Sequence, residues 1–276
     1  MNAAIDFGIT NIDAIAETPE GLRRWTRPAA GDPDAALVRA LLAEGDVDLE
    51  AVAQLAVAGG RSPALPSQLG RCRVTKVNEI PAIGRGGQAL AEALGVPHTT
   101  TLLVVSAGSG TAAVAAAGDT YRHVSGSGVG GGTLLGLSRL ILGTIDPAEI
   151  DALALAGDPN GADLALSDVI SGPIGGLPPD ATAVNFGRLG KYDIAVARAD
   201  LAAALVTLVG QVIGVTAINA ARALATERII VTGHLLDMVS FRRALERTGE
   251  FYGTHFLLPA YPGFATALGA LRHLAA

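Results

Sequence analysis

Two glycine turns stand 100 residues apart in this sequence, and each follows a short apolar stretch typical of a buried strand. The first (residues 8–10) follows "AAIDF", and the second (residues 108–111) follows "TTTLLVVSA". Glycine lets a backbone N–H approach a phosphate closely, and serine or threonine hydroxyls add further donors. Either turn alone is as well explained by an ordinary β-hairpin. Because a triphosphate needs donors on both sides, the two turns together predict a nucleotide cleft.

A third glycine cluster, over residues 126–132, leads into an apolar helix predicted to begin at about Thr133. The exposed N–H groups of a helix N-terminus attract anions, so this loop is also a candidate ligand site. Its spacing matches neither the dinucleotide-binding fingerprint nor the Walker phosphate loop. A flexible linker is the alternative interpretation, and the apolar sequence that follows directly disfavours it.

Two carboxylates lie at the ends of predicted strands. Asp6 ends the first strand, where it could hold Mg²⁺ through water, since this ion usually keeps several waters. Glu79 ends "RVTKVNE", which predicts a strand over 73–79, and a helix is predicted over 84–94 after a glycine turn. A carboxylate at a strand end facing a cleft can accept a proton from a substrate hydroxyl. From one residue alone, a solvated surface glutamate is the simpler interpretation.

Strand patterns alternate with helix patterns along the chain, and glycine turns stand at the strand ends. This arrangement is typical of layered α/β proteins, which bind ligands at the carboxyl ends of their strands. A length of 276 residues allows one large domain or two lobes. The net charge of −6 and the lack of a basic stripe in the sequence argue against a nucleic acid partner.

Residues 201–221 carry no charge and are about long enough to span a bilayer. Their polar and glycine positions and their alanine and valine content favour a buried core helix, so no membrane partner is predicted. The single cysteine, Cys72, excludes an internal disulfide and a thiolate metal site made by one chain. The five histidines lack zinc-ligand spacing, and the N-terminus lacks the features of a signal peptide. We therefore expect a cytoplasmic protein.

The order of these motifs resembles that of the type II pantothenate kinases over nearly the whole chain. These enzymes are the eukaryotic-like branch of the superfamily that contains acetate kinase, sugar kinases, Hsp70 and actin. The glycine-and-leucine string "HVSGSGVGGGTLLGLSRLILG" is the strongest match. The other similar segments, in chain order, are "AIDFGIT", "VNEIPAIGRG", "AGSGTA", "ADLALSDVISG", "ATAVNFGRL", "ERIIVTGHLL" and "YPGFATALGAL".

The resemblance implies a two-lobed α/β fold of the actin-like ATPase (ribonuclease H-like) type, with a nucleotide cleft between residues 1–97 and residues 98–276. It implies ATP-dependent phosphorylation of the primary hydroxyl of pantothenate, the first step of coenzyme A synthesis. ATP and Mg²⁺ would be the cofactors, pantothenate or a similar small hydroxy acid the substrate, and a homodimer the assembly. Phosphoryl transfer depends on positioning and charge neutralisation, which glycine N–H groups and Mg²⁺ can supply.

Residue roles also follow from the resemblance. Glu79 maps to the catalytic general base, Asp6 to the residue that assists the metal, and Gly233 to the adenosine side of the nucleotide. The residues that map to phosphate-binding positions are Asp6, Gly8, Thr10, Gly108, Ser109, Gly110 and Thr111. The region that maps near the acceptor substrate contains Arg122, His123, Gly126, Gly128, Gly130, Gly131 and Gly132.

Three positions depart from the family pattern. Ile9 replaces the second glycine of the first phosphate motif, and Asp13 stands where the family has a lysine. His123 takes the place of an arginine that would hold a substrate carboxylate, and Arg122 lies one residue earlier. Two alternatives therefore stay open: a kinase for another hydroxy acid or sugar on the same fold, and a nucleotide-binding homologue without catalysis.

Overall fold

The strands in the described part of the chain form two large sheets and one small one. The computed structural model describes residues 1–172 and 177–275. In chain order the strands are β1 (Asn2–Phe7), β2 (Asn11–Thr18), β3 (Gly21–Pro28), β4 (Gln54–Ala58), β5 (Gln68–Leu69), β6 (Cys72–Lys76), β7 (Leu102–Ala107), β8 (Thr111–Ala117), β9 (Thr120–Ser127), β10 (Leu164–Ala165), β11 (Thr182–Val184), β12 (Ile229–Thr232) and β13 (Phe256–Leu257). The first sheet has the order β3-β2-β1-β4-β6-β5, the second has the order β13-β12-β7-β8-β9, and β10 pairs with β11.

The α-helices lie between and around the two large sheets. Within the described residues they are α1 (Ala35–Glu44), α2 (Glu79–Ala93), α3 (Gly131–Ile141), α4 (Pro147–Ala156), α5 (Leu166–Val169), α6 (Gly187–Lys191), α7 (Arg198–Ala223), α8 (Val239–Tyr252) and α9 (Ala265–His273). Strands and helices thus alternate in layers, which confirms the predicted α/β class.

Each large sheet contains three neighbouring strands that run parallel. In the first sheet β1 pairs in parallel with β4, and β4 pairs in parallel with β6. In the second sheet β12 pairs in parallel with both β7 and β13. The turns after these strands therefore leave from the carboxyl edges of the sheets, which is where α/β proteins bind ligands.

Two helices form the layer between the sheets. α9 packs on the first sheet, in a hydrophobic cluster that contains Ala4, Ala56 and Ala270. α2 packs on the second sheet, in a cluster that contains Ile83 and Val104. α2 and α9 also pack against each other, while α1 covers the outer face of the first sheet and α7 that of the second.

α7 is the core helix beside the second sheet. Leu205, Val209, Ile213 and Ala217 are buried in one cluster with Leu103 of β7, and their spacing of four residues keeps them on one helix face. Length and composition alone would let α7 cross a membrane, and among the described residues no other helix meets that test. Most of its apolar stretch is buried inside the protein, which confirms the core helix predicted over residues 201–221.

The structure corrects the prediction around Glu79. β6 ends at Lys76, and Glu79 is the first residue of α2 rather than the last residue of a strand. α2 then runs through the glycines between residues 84 and 87, where a turn was expected before the helix. Glycine is required at these helical positions because neighbouring elements approach closely. A side chain at Gly84, for example, would overlap Tyr121. Tertiary packing here overrides the low helix propensity of glycine.

The third glycine cluster is only partly a loop. β9 extends to Ser127, so Gly126 lies in a strand, and α3 begins at Gly131 rather than at Thr133. The sequence pattern does not indicate β9, because its glycine and polar residues lack the apolar alternation of a half-buried strand. Pairing with β8 along the whole of β9 overrides this weak local preference.

Candidate active site

A cavity lies where the carboxyl ends of β1, β7 and β12 meet. The turns that follow these strands, at Gly8, Gly108 and Gly233, all line it. Leu134 of α3 and Pro262, in the turn before α9, close other sides. Both large sheets therefore contribute to one site.

The two predicted phosphate turns meet at this cavity. The hydroxyl oxygens of Thr10 and Ser109 are 2.7 Å apart, which is hydrogen-bond distance. Gly8 fits a close backbone approach, because a Cβ there would lie 2.6 Å from the Asn11 carbonyl oxygen. Ile9 is 79% exposed at the tip of the turn, and its backbone lies outside the left-handed region. The first turn therefore forms without the second glycine of the family pattern.

α3 supports the second turn. The backbone N–H groups of Gly131 and Gly132 donate to the carbonyl oxygens of Gly108 and Ser109, at 2.7 and 2.9 Å. A Cβ at Gly130 would lie 2.8 Å from the Gly108 carbonyl oxygen. These glycines thus let the start of α3 fit closely against the turn, and two of its first N–H groups are already used within the protein.

The structure brings some of the predicted site residues to the cavity and leaves others outside it. Those that line it are Asp6, Gly8, Thr10, Gly108, Ser109, Gly131 and Gly233. Those that do not line it are Glu79, Gly110, Thr111, Arg122, His123, Gly126, Gly128, Gly130 and Gly132. The Thr111 hydroxyl donates to the Val129 carbonyl oxygen at 2.7 Å, so this hydroxyl holds the loop before α3.

Gly233 shapes the turn after β12. Its φ of +102° lies in the region that favours glycine, and a Cβ there would overlap the carbonyl oxygen of Ala107. Its N–H donates to the Pro262 carbonyl oxygen at 2.8 Å. The turn thereby packs on the end of β7 and on the loop before α9, and it places His234 in the cavity wall.

The cavity has one apolar end. Leu134 and Leu135 of α3, Leu235 and Met238 after β12, and Pro147 of α4 line it. The other part of the lining carries the carboxylates of Asp6 and Asp13 and the hydroxyls of Thr10 and Ser109. A ligand with a flat apolar ring and an anionic tail, such as a nucleotide, matches this distribution.

Asp6 lies near the end of β1, directly opposite Asp13 in the register with β2. The pKa of Asp6 is raised from 3.8 to about 7, first by burial and then by the negative charges of Asp13 and Glu79. A hydrogen bond from Thr266, at the start of α9, and the charge of His234 act in the opposite direction. A divalent cation would favour the charged form of such a carboxylate.

The raised pKa predicts a pH-dependent stability that Asp6→Asn removes. The folded protein keeps the Asp6 proton up to about pH 7. An unfolded chain releases it near the ordinary pKa of aspartate, which is about 3.9. Because the folded state binds more protons in this window, its stability falls as the pH rises through it. Without divalent cations, we expect Asp6→Asn to be more stable than the wild type, by a margin that grows roughly 3 kcal/mol from pH 5 to 8. Urea unfolding in EDTA measures this margin, and a margin independent of pH would contradict the prediction.

Glu79 lies at the same sheet edge as Asp6. β1, β4 and β6 are successive neighbours, so the residues that follow β6 are two strand spacings, roughly 10 Å, from the end of β1. The side chain of Glu79 is exposed at the N-terminus of α2, and its charge contributes to the raised pKa of Asp6. A negative charge suits a helix N-terminus, because the helix dipole is positive there.

A β-bulge in β9 determines which side chains face α2. The register with β8 passes from His123 directly to Ser125 on successive partners, so Val124 is the extra residue. His123 and Gly126 therefore lie on the face of the second sheet that α2 covers, whereas Arg122 lies on the other face. A Cβ at Gly126 would lie 3.3 Å from His123 Nε2. His123, rather than Arg122, is on the side of the sheet where Glu79 begins α2.

One pairing in the cavity is not apparent from the motifs. Asp13 is only 5% exposed, and its Oδ1 is 2.8 Å from Nε2 of His234. The Nδ1 of His234 is 2.7 Å from Oδ2 of Asp237. Burial lowers the pKa of His234, but the hydrogen bonds and charges of the two aspartates outweigh it and raise this pKa to about 10. The position of His234 directly after Gly233, at a strand end, is the sequence signal that could have indicated it.

Comparison with known proteins finds related sequences. The Fumble family matches residues 91–273. A type II pantothenate kinase from Bacillus cereus is 26% identical over 225 residues, which cover 80% of this chain and 82% of that protein. Proteins of the same name from Oceanobacillus iheyensis and Staphylococcus haemolyticus are 29% and 28% identical, over 81% and 84% of this chain and 83% and 84% of their own lengths.

Solved structures resemble the fold at low sequence identity. The activator of the 2-hydroxyisocaproyl-CoA dehydratase from Clostridium difficile, with bound ADPNP, has a TM-score of 0.62 at 15% identity, over 99% of this chain and 93% of that one. A ROK family glucokinase from Streptomyces griseus, in complex with glucose and AMPPNP, has a TM-score of 0.61 at 14% identity, over 99% and 98%. These likenesses confirm the predicted actin-like ATPase fold. Because the Fumble match alone covers about two thirds of the sequence, the chain belongs to the Fumble family, the family of the type II pantothenate kinases.

Proposed function

We propose that this protein uses ATP to phosphorylate the primary hydroxyl of pantothenate, the first step of coenzyme A synthesis. The observation that carries the proposal is the contact of Thr10 with Ser109, which joins two glycine turns from two sheets around one cavity. Phosphoryl transfer depends mainly on such positioning of the phosphates. Membership of the Fumble family and the names of the relatives support pantothenate as the acceptor.

The nucleotide would lie with its base at the apolar end of the cavity and its phosphates between the two turns. Gly8 and Thr10 would bind the phosphates from the first sheet, and Gly108 and Ser109 from the second. Gly110 and Thr111 would hold the shape of the second turn. Gly233 would face the adenosine side.

Asp6 fits the role of holding Mg²⁺ through water. Its partly buried carboxylate lies close enough to Asp13 and Glu79 for their negative charges to raise its pKa. A divalent cation would offset these charges and favour the ionised form of Asp6. Among the described residues no cluster of three or more His, Cys, Asp or Glu side chains forms a metal site, which suits a cation bound through one carboxylate and water. When bound, Mg²⁺ supplies charge neutralisation for the phosphates.

Nucleotide binding is expected to depend strongly on a divalent cation. In the part of the chain that the structure describes, no lysine or arginine lines the cavity, whereas Asp6 and Asp13 do. The one basic side chain among the described lining residues, His234, is already paired with Asp13, so without a cation nothing would offset the charge of Asp6 or of the phosphates. We therefore expect the affinity for a non-hydrolysable ATP analogue to fall at least about a hundredfold. Calorimetric titration in Mg²⁺ and then in EDTA measures this change, and equal affinities in the two buffers would contradict it.

Glu79 would act as the general base of the transfer. The hydroxyl oxygen of the acceptor attacks the γ-phosphorus, its proton passes to the Glu79 carboxylate, and the bond from this phosphorus to the ADP oxygen breaks. His123 and Gly126 lie on the face of the second sheet that α2 covers, so the acceptor would lie between α2 and β9. The glycines of residues 128–132 would complete this region, whereas Arg122, on the opposite face of the sheet, would not contact the acceptor.

An ADP-release assay over pantothenate, pantetheine and a set of sugars tests the proposal. Turnover with pantothenate is the expected result. Turnover with a sugar or another hydroxy acid alone would assign the chain to another acceptor. Nucleotide binding without transfer to any acceptor would identify a homologue without catalysis.

We also propose that the protein acts as a cytoplasmic homodimer. Leu140 at the end of α3 is 81% exposed, and Ile141 and Ile145 beside it are also exposed. A patch of aliphatic side chains on a protein surface suits contact with a second subunit. Light scattering of the purified protein would measure its mass in solution.

A further inference from the structure

We propose that His234 is a positioning residue for the nucleotide phosphates. Its hydrogen bond to Asp13 holds the first sheet, which carries the first phosphate turn, against the adenosine side of the cleft. The inference rests on the proposed kinase function and adds a role that none of the motifs carries. The pair of Asp13 and His234 joins two sheets and neutralises a buried charge, and the imidazole ring of His234 is held in one orientation.

The pair joins elements 221 residues apart in the sequence. Asp13 belongs to β2 of the first sheet, and His234 follows β12 of the second. Together with the contact between Thr10 and Ser109, the pair makes a second direct link between the two walls of the cavity. Two links at different points restrict the relative position of two bodies far more than one link does.

The pair also compensates a negative charge in the phosphate site. Asp13 is almost fully buried, lines the cavity and lies opposite Asp6 in the β1–β2 register. Carboxylate oxygens only accept hydrogen bonds, and both ring nitrogens of His234 lie within 2.8 Å of one, so both nitrogens carry a proton. The imidazolium is the one basic side chain among the described residues that line the cavity. Without it, Asp13 would repel an incoming phosphate.

The imidazole ring is held in one orientation. A Cβ at Gly263 would overlap the ring, so the chain before α9 packs directly against it. The ring of Phe264 meets it edge-on, with centroids 5.9 Å apart. Asp237 binds the second nitrogen at 2.7 Å. The ring therefore cannot turn without losing a hydrogen bond, and it presents Nε2 to Asp13 in a fixed geometry.

These contacts predict a separation of kinetic parameters. In His234→Gln the carboxylate of Asp13 is uncompensated beside the phosphates, so the KM for ATP is expected to rise at least about tenfold. The KM for the acceptor is expected to stay near the wild-type value, because neither residue faces the α2 side of β9. In Asp13→Asn/His234→Gln the repelling charge is gone, so most of the tenfold loss should be recovered.

Steady-state kinetics of the wild type, the two single variants and the double variant test the inference, with His255→Gln as the matched control. His255 is exposed and does not line the cavity. Partial recovery in the double variant, with the KM for the acceptor unchanged throughout, supports the role of His234, since a purely structural role would change both KM values together. A KM for ATP unchanged in His234→Gln, or KM values for ATP and acceptor that rise together, would overturn it.

Nucleotide affinity distinguishes a failure of this inference from a failure of the proposed kinase function. If the wild type transfers phosphate to no acceptor, the same variants are compared by calorimetric titration with ADP and Mg²⁺. A tenfold weaker ADP affinity in His234→Gln, recovered in the double variant, would then support the inference without a kinase. Equal ADP affinities, or a wild type that does not bind ADP, would reject it.

Discussion

Glu79→Gln is expected to lower kcat about a thousandfold while the affinity for ADP and Mg²⁺ stays near the wild-type value. A positioned general base contributes roughly a hundred- to ten-thousandfold to a rate, and glutamine cannot take the hydroxyl proton. The exposed position of Glu79 at the start of α2, outside the cavity lining, is the reason why nucleotide binding should not change. Single-turnover transfer and calorimetric ADP titration of the same preparation measure the two quantities.

A matched exchange at another exposed glutamate controls for the loss of one negative charge. Glu246 lies on α8, away from the cavity, so Glu246→Gln should keep wild-type turnover. If Glu79→Gln retains a tenth or more of the wild-type kcat, the general base is not Glu79. Asp6 would then be the next carboxylate to test, because it lies in the cavity at the same sheet edge.

The turns of the cavity could be predicted because each depends on a few neighbouring residues. A strand followed by glycine and a hydroxyl residue is visible in one short segment, as at Gly8 and Gly108, and a nucleotide needs two such segments. The core helix α7 could be predicted for a similar reason, since its uncharged length fits only a buried or membrane position. Family membership followed from the order of these local segments along the chain.

Other features could not be predicted because they depend on contacts between distant segments. Glu79 begins a helix instead of ending a strand. This helix continues through glycines whose local preference is not helical, and the elements that pack against them stabilise it. The bulge at Val124, which puts His123 and Gly126 on the same face of the second sheet, comes from pairing with β8. The ion pair of Asp13 with His234 joins two sheets, and no pattern within either segment indicates it. Ile9 is tolerated because the turn needs no left-handed residue there.

α2 and α9 cross at very close range within the layer between the two large sheets. A Cβ at Gly86 would overlap the carbonyl oxygen of Ala265, and a Cβ at Gly269 would overlap the carbonyl oxygen of Ala82. These oxygens belong to helix backbones and cannot turn aside as side chains do. Because α9 packs on the first sheet and α2 on the second, any separation of the helices moves the sheets apart.

Gly269→Ala is therefore expected to lower the free energy of unfolding by at least about 3 kcal/mol, and Gly86→Ala by a similar amount. The double variant should cost less than the sum, because the first methyl group already separates the helices. Gly136→Ala is the control: Gly136 is exposed within α3 with open space around it, so alanine should stabilise the protein by about 0.5–1 kcal/mol. Urea unfolding of the four variants measures these values.

The same substitutions should also affect the site if the crossing sets the width of the cleft. The hydroxyl groups of Thr10 and Ser109 are in contact at 2.7 Å, so a shift of one ångström between the sheets would break this bond. We expect folded Gly269→Ala, measured well below its unfolding midpoint, to bind ADP more weakly than the wild type, whereas Gly136→Ala binds it equally well. A loss of stability without any change in ADP affinity would mean that the helices relax locally and that the cleft is held by its own two links.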